Sequence, residues 1–161
     1  MITLDNGNTY SLDPISIQLY SDEDLTTLIV YLNEQAEAFV EDNSIELANK
    51  IVTLSNIQTI IVELLSRFEL LFEDYKLIAD SSQAKATKAH REEWEIDHPG
   101  DSKYPASKYF EDLAKNDTLE QWKQVNTSKS MLTKFKGFRN NYETKINALK
   151  KLLTSLENIR Y

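Results

Sequence analysis

Between positions 44 and 96 the chain contains neither glycine nor proline, and its apolar residues Ile61, Leu65, Phe68, Phe72 and Tyr75 alternate spacings of four and three. That alternation is the seam of a helix lying against another helix. Read as one helix over 44–97, the stretch is a rod of roughly 75–80 Å at 1.5 Å per residue, too long for the core helix of a compact small domain. It predicts a long hairpin or an oligomeric stalk. The first half of this stretch is apolar and acidic, whereas Lys76, Lys85, Lys88 and Arg91 all fall in the second half.

The rest of the chain reads as elements that pack on this helix. Only three glycines and three prolines occur in 161 residues, which favours long uninterrupted helices. Residues 2–12 predict a β-hairpin around Asn6-Gly7, the dipeptide of a type I′ turn. Asp13-Pro14 reads as a break, and the apolar segment 15–20 allows a third strand, which completes a hairpin element over 1–20. Ser21 is placed to cap a helix over 21–41, with Asp22, Glu23 and Asp24 in its first turn. Leu25, Leu28, Ile29, Leu32, Ala36 and Phe39 form its apolar face, and Ser44 is read as the cap of the next helix. Pro99 and Gly100 mark a turn over 98–105. A short helix over 108–115, capped by Ser107, and a final helix over 119–160 fill 106–161. The final helix has its own seam, Tyr142, Ile146, Leu149, Leu153 and Leu156, and a less regular stripe upstream through Leu119, Trp122, Val125, Leu132, Phe135 and Phe138. Gly137 interrupts it at about 1 kcal/mol relative to alanine, which a close helix crossing or a hinge would explain.

The expected fold is therefore mainly α: a single domain over 1–161, a long antiparallel helical hairpin or small helical bundle with a short N-terminal β-hairpin. Ile60, Val62, Leu64, Leu70 and Leu71 lie off the seam, so the long helix needs several neighbours, a second protomer among them. A homo-oligomer is expected.

Chemistry is sparse. With no cysteine, disulfides, thiolate chemistry and cysteine zinc sites are excluded. There is no glycine-rich phosphate loop, no G-x-S-x-G and no H-E-x-x-H, so neither an enzyme nor a cofactor is expected. His90 and His98, with Glu92, Glu93, Asp97 and Asp101 near them, read as solvated residues at a helix end rather than as metal ligands. No basic leader precedes an apolar run, and Glu63, Arg67 and Glu69 interrupt the most apolar stretch, which points to a cytoplasmic protein without membrane contact.

Charge says more. The net charge is −8, but 1–75 holds two basic against fourteen acidic residues (−12) and 76–161 sixteen against twelve (+4). Lys85, Lys88 and Arg91 are three apart and form one stripe on a helix. The final helix adds Lys129, Lys134, Lys136 and Arg139 among its basic residues. Phe135, Phe138 and Tyr142 are read as seam residues, whereas Trp94, among charges near the turn, is the better platform for stacking a base. Phosphate contacts plus base stacking are what single-stranded nucleic-acid binding needs, at about 1–3 kcal/mol per stacked base. No base-reading pattern is present, so the expected binding is independent of sequence.

Residues 83–94, with Lys88-Ala89 and Trp94, followed by the break Pro99-Gly100-Asp101-Ser102, resemble the phage recombination mediators of the UvsY type. These are small helical proteins with a Lys-Ala-Arg segment ending in an aromatic residue. Here His90 stands where the family has its arginine, and Arg91 comes one position later. The resemblance implies a single-stranded DNA-binding accessory protein that helps to load a strand-exchange recombinase onto DNA coated by single-strand-binding protein. It assigns phosphate contacts to Lys88, Lys85 and Arg91. Two alternatives rest on the residues themselves: a phage-encoded acidic inhibitor of a host defence nuclease acting by protein–protein contact through 1–75, and a structural coiled-coil oligomer.

Overall fold

Helix-start chemistry decides the N-terminal part of the computed structural model, which describes every residue except Met1, Asp5, Asn6, Ser102 and 159–161. Helix α1 (Pro14–Leu19) occupies the apolar segment that the sequence left open to a third strand. Asp13 caps it, accepting from the backbone N–H of Ile15 (3.1 Å) and Ser16 (3.0 Å). Pro14 takes the first helical position, where a missing N–H costs nothing. The dipeptide read as a break is thus a cap followed by a helix start. The Ser11 and Ser16 hydroxyls and the Ser16 amide hold the Asp13 carboxyl well below the usual range. Helix α2 (Asp22–Ala38) opens with a full capping box, Ser21 Oγ accepting from Asp24 N–H and the Asp24 carboxylate accepting from Ser21 N–H.

Helix α3 (Ser44–Asp97) is continuous, through Ser81-Ser82 where the sequence left a break open. Its cap lies one residue earlier than expected: Asn43, not Ser44, accepts from the Ile45 amide at 3.0 Å. Helix α4 (Ser107–Asp117) and helix α5 (Leu119–Asn158) meet at Thr118. Ser107 does not act as a side-chain cap. Ala106 occupies the N-cap of α4 without a side-chain hydrogen bond, and the Thr118 hydroxyl donates back to the Ala114 carbonyl at 2.8 Å. Between α3 and α4, Gly100 adopts φ +81° and the Asp101 amide donates to the His98 carbonyl at 3.2 Å. That is the geometry a Pro-Gly pair at the turn centre favours.

The two-stranded antiparallel sheet pairs β1 (Ile2–Thr3) with β2 (Thr9–Tyr10), Ile2 opposite Tyr10. Its connection closes between Leu4 and Gly7 (2.9 Å) and between Asn8 and Leu4 (2.9 Å), with Gly7 at φ +82°. Gly7 thus takes the positive φ for which glycine is the default residue. Asn6, on which the type I′ reading rested, lies outside the described residues.

The fold is mainly α, with long helices packed against each other and the small sheet at the N-terminus. The chain divides into two compact units, one of residues 1–67 with 133–161 and the other of 68–132. Of the buried apolar side chains among the described residues, seventeen belong to the first unit and five to the second. The first unit is centred on Leu25, Leu28 and Leu32 of α2, Leu54, Ile57, Ile61 and Leu64 of α3, and Ile146 and Leu149 of α5. Tyr142 joins α5 to α2 by donating to Asn33 Oδ1 at 2.6 Å. An 18-residue window of α3 is apolar enough to cross a membrane, with mean hydropathy 1.3, and 39% of it is buried in the fold.

Arg67 holds the first unit's N-terminal element in place. Its guanidinium donates to the carbonyls of Ile17 (3.3 Å), Gln18 (3.0 Å) and Tyr20 (2.7 Å), and pairs with Asp22 (2.8 Å) and Glu63 (2.9 Å). Three of these acceptors lie at the C-terminal end of α1, where carbonyls lack helical partners and a cation is favoured. Desolvation works against the guanidinium's charge, but Glu63 and Asp22 outweigh it and keep its pKa above the ordinary value.

Gly137 does not mark a close crossing. A methyl group added there meets nothing within 4 Å, and φ is not positive. Gly137→Ala is therefore expected to stabilise the protein by about 0.5–1 kcal/mol, purely through helix propensity. Thermal denaturation checks this: a rise in Tm of about 1–4 °C is expected for a chain of this size, and a fall would show that the position needs its glycine.

Candidate nucleic-acid interface

The stripe Lys85, Lys88 and Arg91 lies on α3 within the second unit. Its three members are held very differently. Lys85 and Lys88 are exposed, and Lys88 makes only a surface pair with Glu92 at 3.5 Å. Such a pair is worth little and is easily exchanged. Arg91 is half-buried: it donates to Ser107 Oγ, and its guanidinium lies 5.9 Å from the centre of the Phe110 ring. Its enclosed Nε has no hydrogen-bond partner among the described residues. Ser107 passes the contact on, donating to Glu111 at 3.2 Å. α4 thereby fixes the arginine that α3 supplies.

Lys88 and Arg91 border an open groove of about 470 Å³, lined also by Asp80, Gln83, Ala84, Thr87 and Glu111. Gln83 is oriented by Trp122, whose indole N–H donates to its side-chain oxygen at 2.8 Å. The groove therefore offers cations on one side and carboxylates at Asp80 and Glu111. Glu111 and Gln83 were not singled out from the sequence. Glu111 comes from another helix, so no periodicity on α3 could have indicated it.

Trp94 is less free than its sequence context suggested. His98 stacks on it, with ring centres 4.7 Å apart and planes 9° from parallel, and Tyr104 meets it edge-on at 4.9 Å. One indole face is thus already covered. The Tyr104 phenol is held above its ordinary pKa by desolvation and by donating to Glu95 at 3.2 Å. His90 is engaged separately, its Nε2 lying 2.6 Å from Asp117 Oδ2. Among the described residues no group of three or more His, Asp and Glu is placed to hold a metal.

The basic residues of α5 do not all join this stripe. Lys129 falls in the second unit, whereas Lys134, Lys136 and Arg139 fall in the first. Lys134 sits 5.8 Å from the centre of the Phe138 ring, and that ring is 40% exposed rather than buried in a seam. Phe135 and Tyr142 are half-buried, as expected of seam residues. Arg139 is half-buried and reaches Asn140 at 3.5 Å. The charge polarity of the sequence is also folded away. The first unit holds nine basic and thirteen acidic residues, and the second unit nine and thirteen, so each carries −4. The fold returns the basic end of α5 to the acidic N-terminal residues. No known protein family, curated protein or solved structure matches this chain.

Proposed function

We propose that the protein is a cytoplasmic, non-catalytic, single-stranded DNA-binding accessory factor of recombination or replication, of the recombinase-loading kind, binding without regard to sequence. The observation that carries this reading is the stripe on α3: two exposed lysines beside an arginine that Ser107 and Phe110 hold in position. A pre-positioned guanidinium loses little side-chain freedom when it meets a phosphate, and mobile lysines add charge at low cost. Phosphates neutralised by such a stripe release counterions, so affinity falls as salt rises. The exposed Phe138 ring, with Lys134 beside it, offers a second aromatic-cationic pair on α5.

Fluorescence anisotropy of a labelled single-stranded oligonucleotide, titrated over a series of salt concentrations, tests this reading. Lys85→Ala/Lys88→Ala spares Arg91 because alanine there would also release α4. The double variant is expected to bind more weakly and to lose about 1–2 units of the slope of log affinity against log salt. Absence of binding by the native protein at low salt defeats the proposal and moves attention to a protein target. An unchanged slope in the variant removes the stripe from the interface.

A further inference from the structure

Helix α3 carries two seams within the second unit. One faces inward: Phe68, Phe72, Tyr75 and Ala79 alternate four and three and are buried or half-buried. The other lies on the opposite side, where Leu70, Asp74, Leu77, Ser81, Ala84 and Lys88 also alternate four and three, and all six are exposed. Leu70 and Leu77 are each 70% exposed, and Ile78 beside them is 52% exposed. A leucine-bearing heptad seam facing water is the pattern of a helix that pairs with another helix.

From this seam we infer that the outward face of α3 over 70–88 is a self-association surface, occupied by the same face of a second copy running antiparallel. Charge selects both the partner and the direction. The seam is acidic near its start, at Glu73 and Asp74, and basic near its end, at Lys85 and Lys88. A parallel pair in register would set Asp74 against Asp74 and Lys88 against Lys88. An antiparallel pair about a two-fold axis sets Leu70 against the second copy's Lys88, Asp74 against its Ala84, and Leu77 against its Ser81. Each large or charged side chain then meets a small residue or a long aliphatic stem. Each Lys88 ammonium comes within one layer of the other copy's Asp74, a better partner than the surface contact with Glu92 at 3.5 Å. The two Ile78 side chains meet beside the axis. Asp80 faces its own copy only at the wet rim, where like charges are screened. Such an interface is isologous, so every contact is made twice.

Because the chain has no cysteine, introduced thiols report only the pairs they were placed to test. Asp74→Cys protein mixed with Ala84→Cys protein under mild oxidation is expected to give a disulfide-linked dimer of the two variants. Either variant alone is expected to stay unlinked. Light scattering of the native chain should show a mass that doubles with concentration. Leu77→Glu, a change at an exposed position that leaves the fold intact, should abolish that rise, whereas Val52→Glu, at another exposed position on α3, should not. Linkage of Asp74→Cys to itself overturns the antiparallel arrangement. A monomeric mass up to about 100 µM, above the micromolar range of ordinary specific interfaces, overturns the surface itself. So does a dimer that survives Leu77→Glu. None of these readings requires nucleic acid, and because Lys88 belongs to the seam as well as to the stripe, Lys85→Ala alone, which lies off the seam, is the variant whose DNA titration stands apart from them.

Discussion

Phe110→Ala is expected to destabilise the second unit by about 3–5 kcal/mol, the range for deleting a fully buried aromatic side chain. Phe110 is wholly buried, and apart from Ala114 it is the only buried residue of α4. Tyr104 packs against it at 5.6 Å, Tyr109 meets it edge-on at 5.3 Å, and the Arg91 guanidinium sits at its face. Removing the ring leaves an 11-residue helix with a single small anchor, less than an isolated helix of that length needs to persist in water. The loss should therefore be local first. Hydrogen exchange over 107–117 is expected to accelerate, and Trp94 emission to change, because Tyr104 links that indole to Phe110. Phe110→Leu keeps most of the volume and should cost about 1.5 kcal/mol or less. If Phe110→Ala shifts the chemical denaturation midpoint no more than Phe110→Leu does, α4 is held by something other than this ring.

The same residue explains what the sequence did and did not disclose about the candidate interface. The spacing of Lys85, Lys88 and Arg91 is a local property of one helix, so their common face was legible from the chain alone. What differentiates them was not. Arg91 is fixed by Ser107 and Phe110, sixteen and nineteen positions away across the Pro-Gly turn, and no pattern within α3 encodes that contact. Trp94 illustrates the reverse. Its charged neighbours suggested an open ring, but His98, one helical turn on, covers a face of it.

At the level of the fold, long-period signals were reliable and short ones ambiguous. The long helix over 44–97 and the α5 seam through Ile146 and Leu149 rest on many residues agreeing with one another. Asp13-Pro14 rests on two, and these serve equally as a break or as a cap with a helix start. The acidic and basic halves were likewise visible along the chain, but their meeting in one unit depends on α5 returning to residues 1–67. That is a property of topology, which composition does not carry. Gly137 could be read from the sequence as a close crossing or a hinge, and only the space around it in the fold removes the first of these.

Arg67→Ala should have the next largest effect, about 2–4 kcal/mol, and its reasoning runs through hydrogen bonds rather than volume. A bond from a charged donor contributes about 1.5–3 kcal/mol, and the substitution leaves its acceptors without their cation. Asp22 and Tyr20 are partly exposed and can turn to water, which limits the loss at those positions. Glu63 is mostly shielded and cannot. The carbonyls of Ile17 and Gln18 close the end of a six-residue helix, too short to persist by its own propensity. Release should therefore spread from α1 to the sheet. Tyr20 links them, since its ring packs edge-on against Tyr10 at 5.2 Å and its hydroxyl accepts from the Ser11 amide at 2.7 Å. Arg67→Lys separates charge from geometry. A lysine keeps the cation but supplies no planar fork to reach several carbonyls together, so it should recover less than half of the loss. Urea denaturation with hydrogen exchange over 2–20 reads both quantities. Recovery of native stability by lysine would mean that α1 is held by simple charge attraction. Protection of 2–20 unchanged in Arg67→Ala would mean that the N-terminal element docks through Ile17, Tyr10 and Leu4 alone.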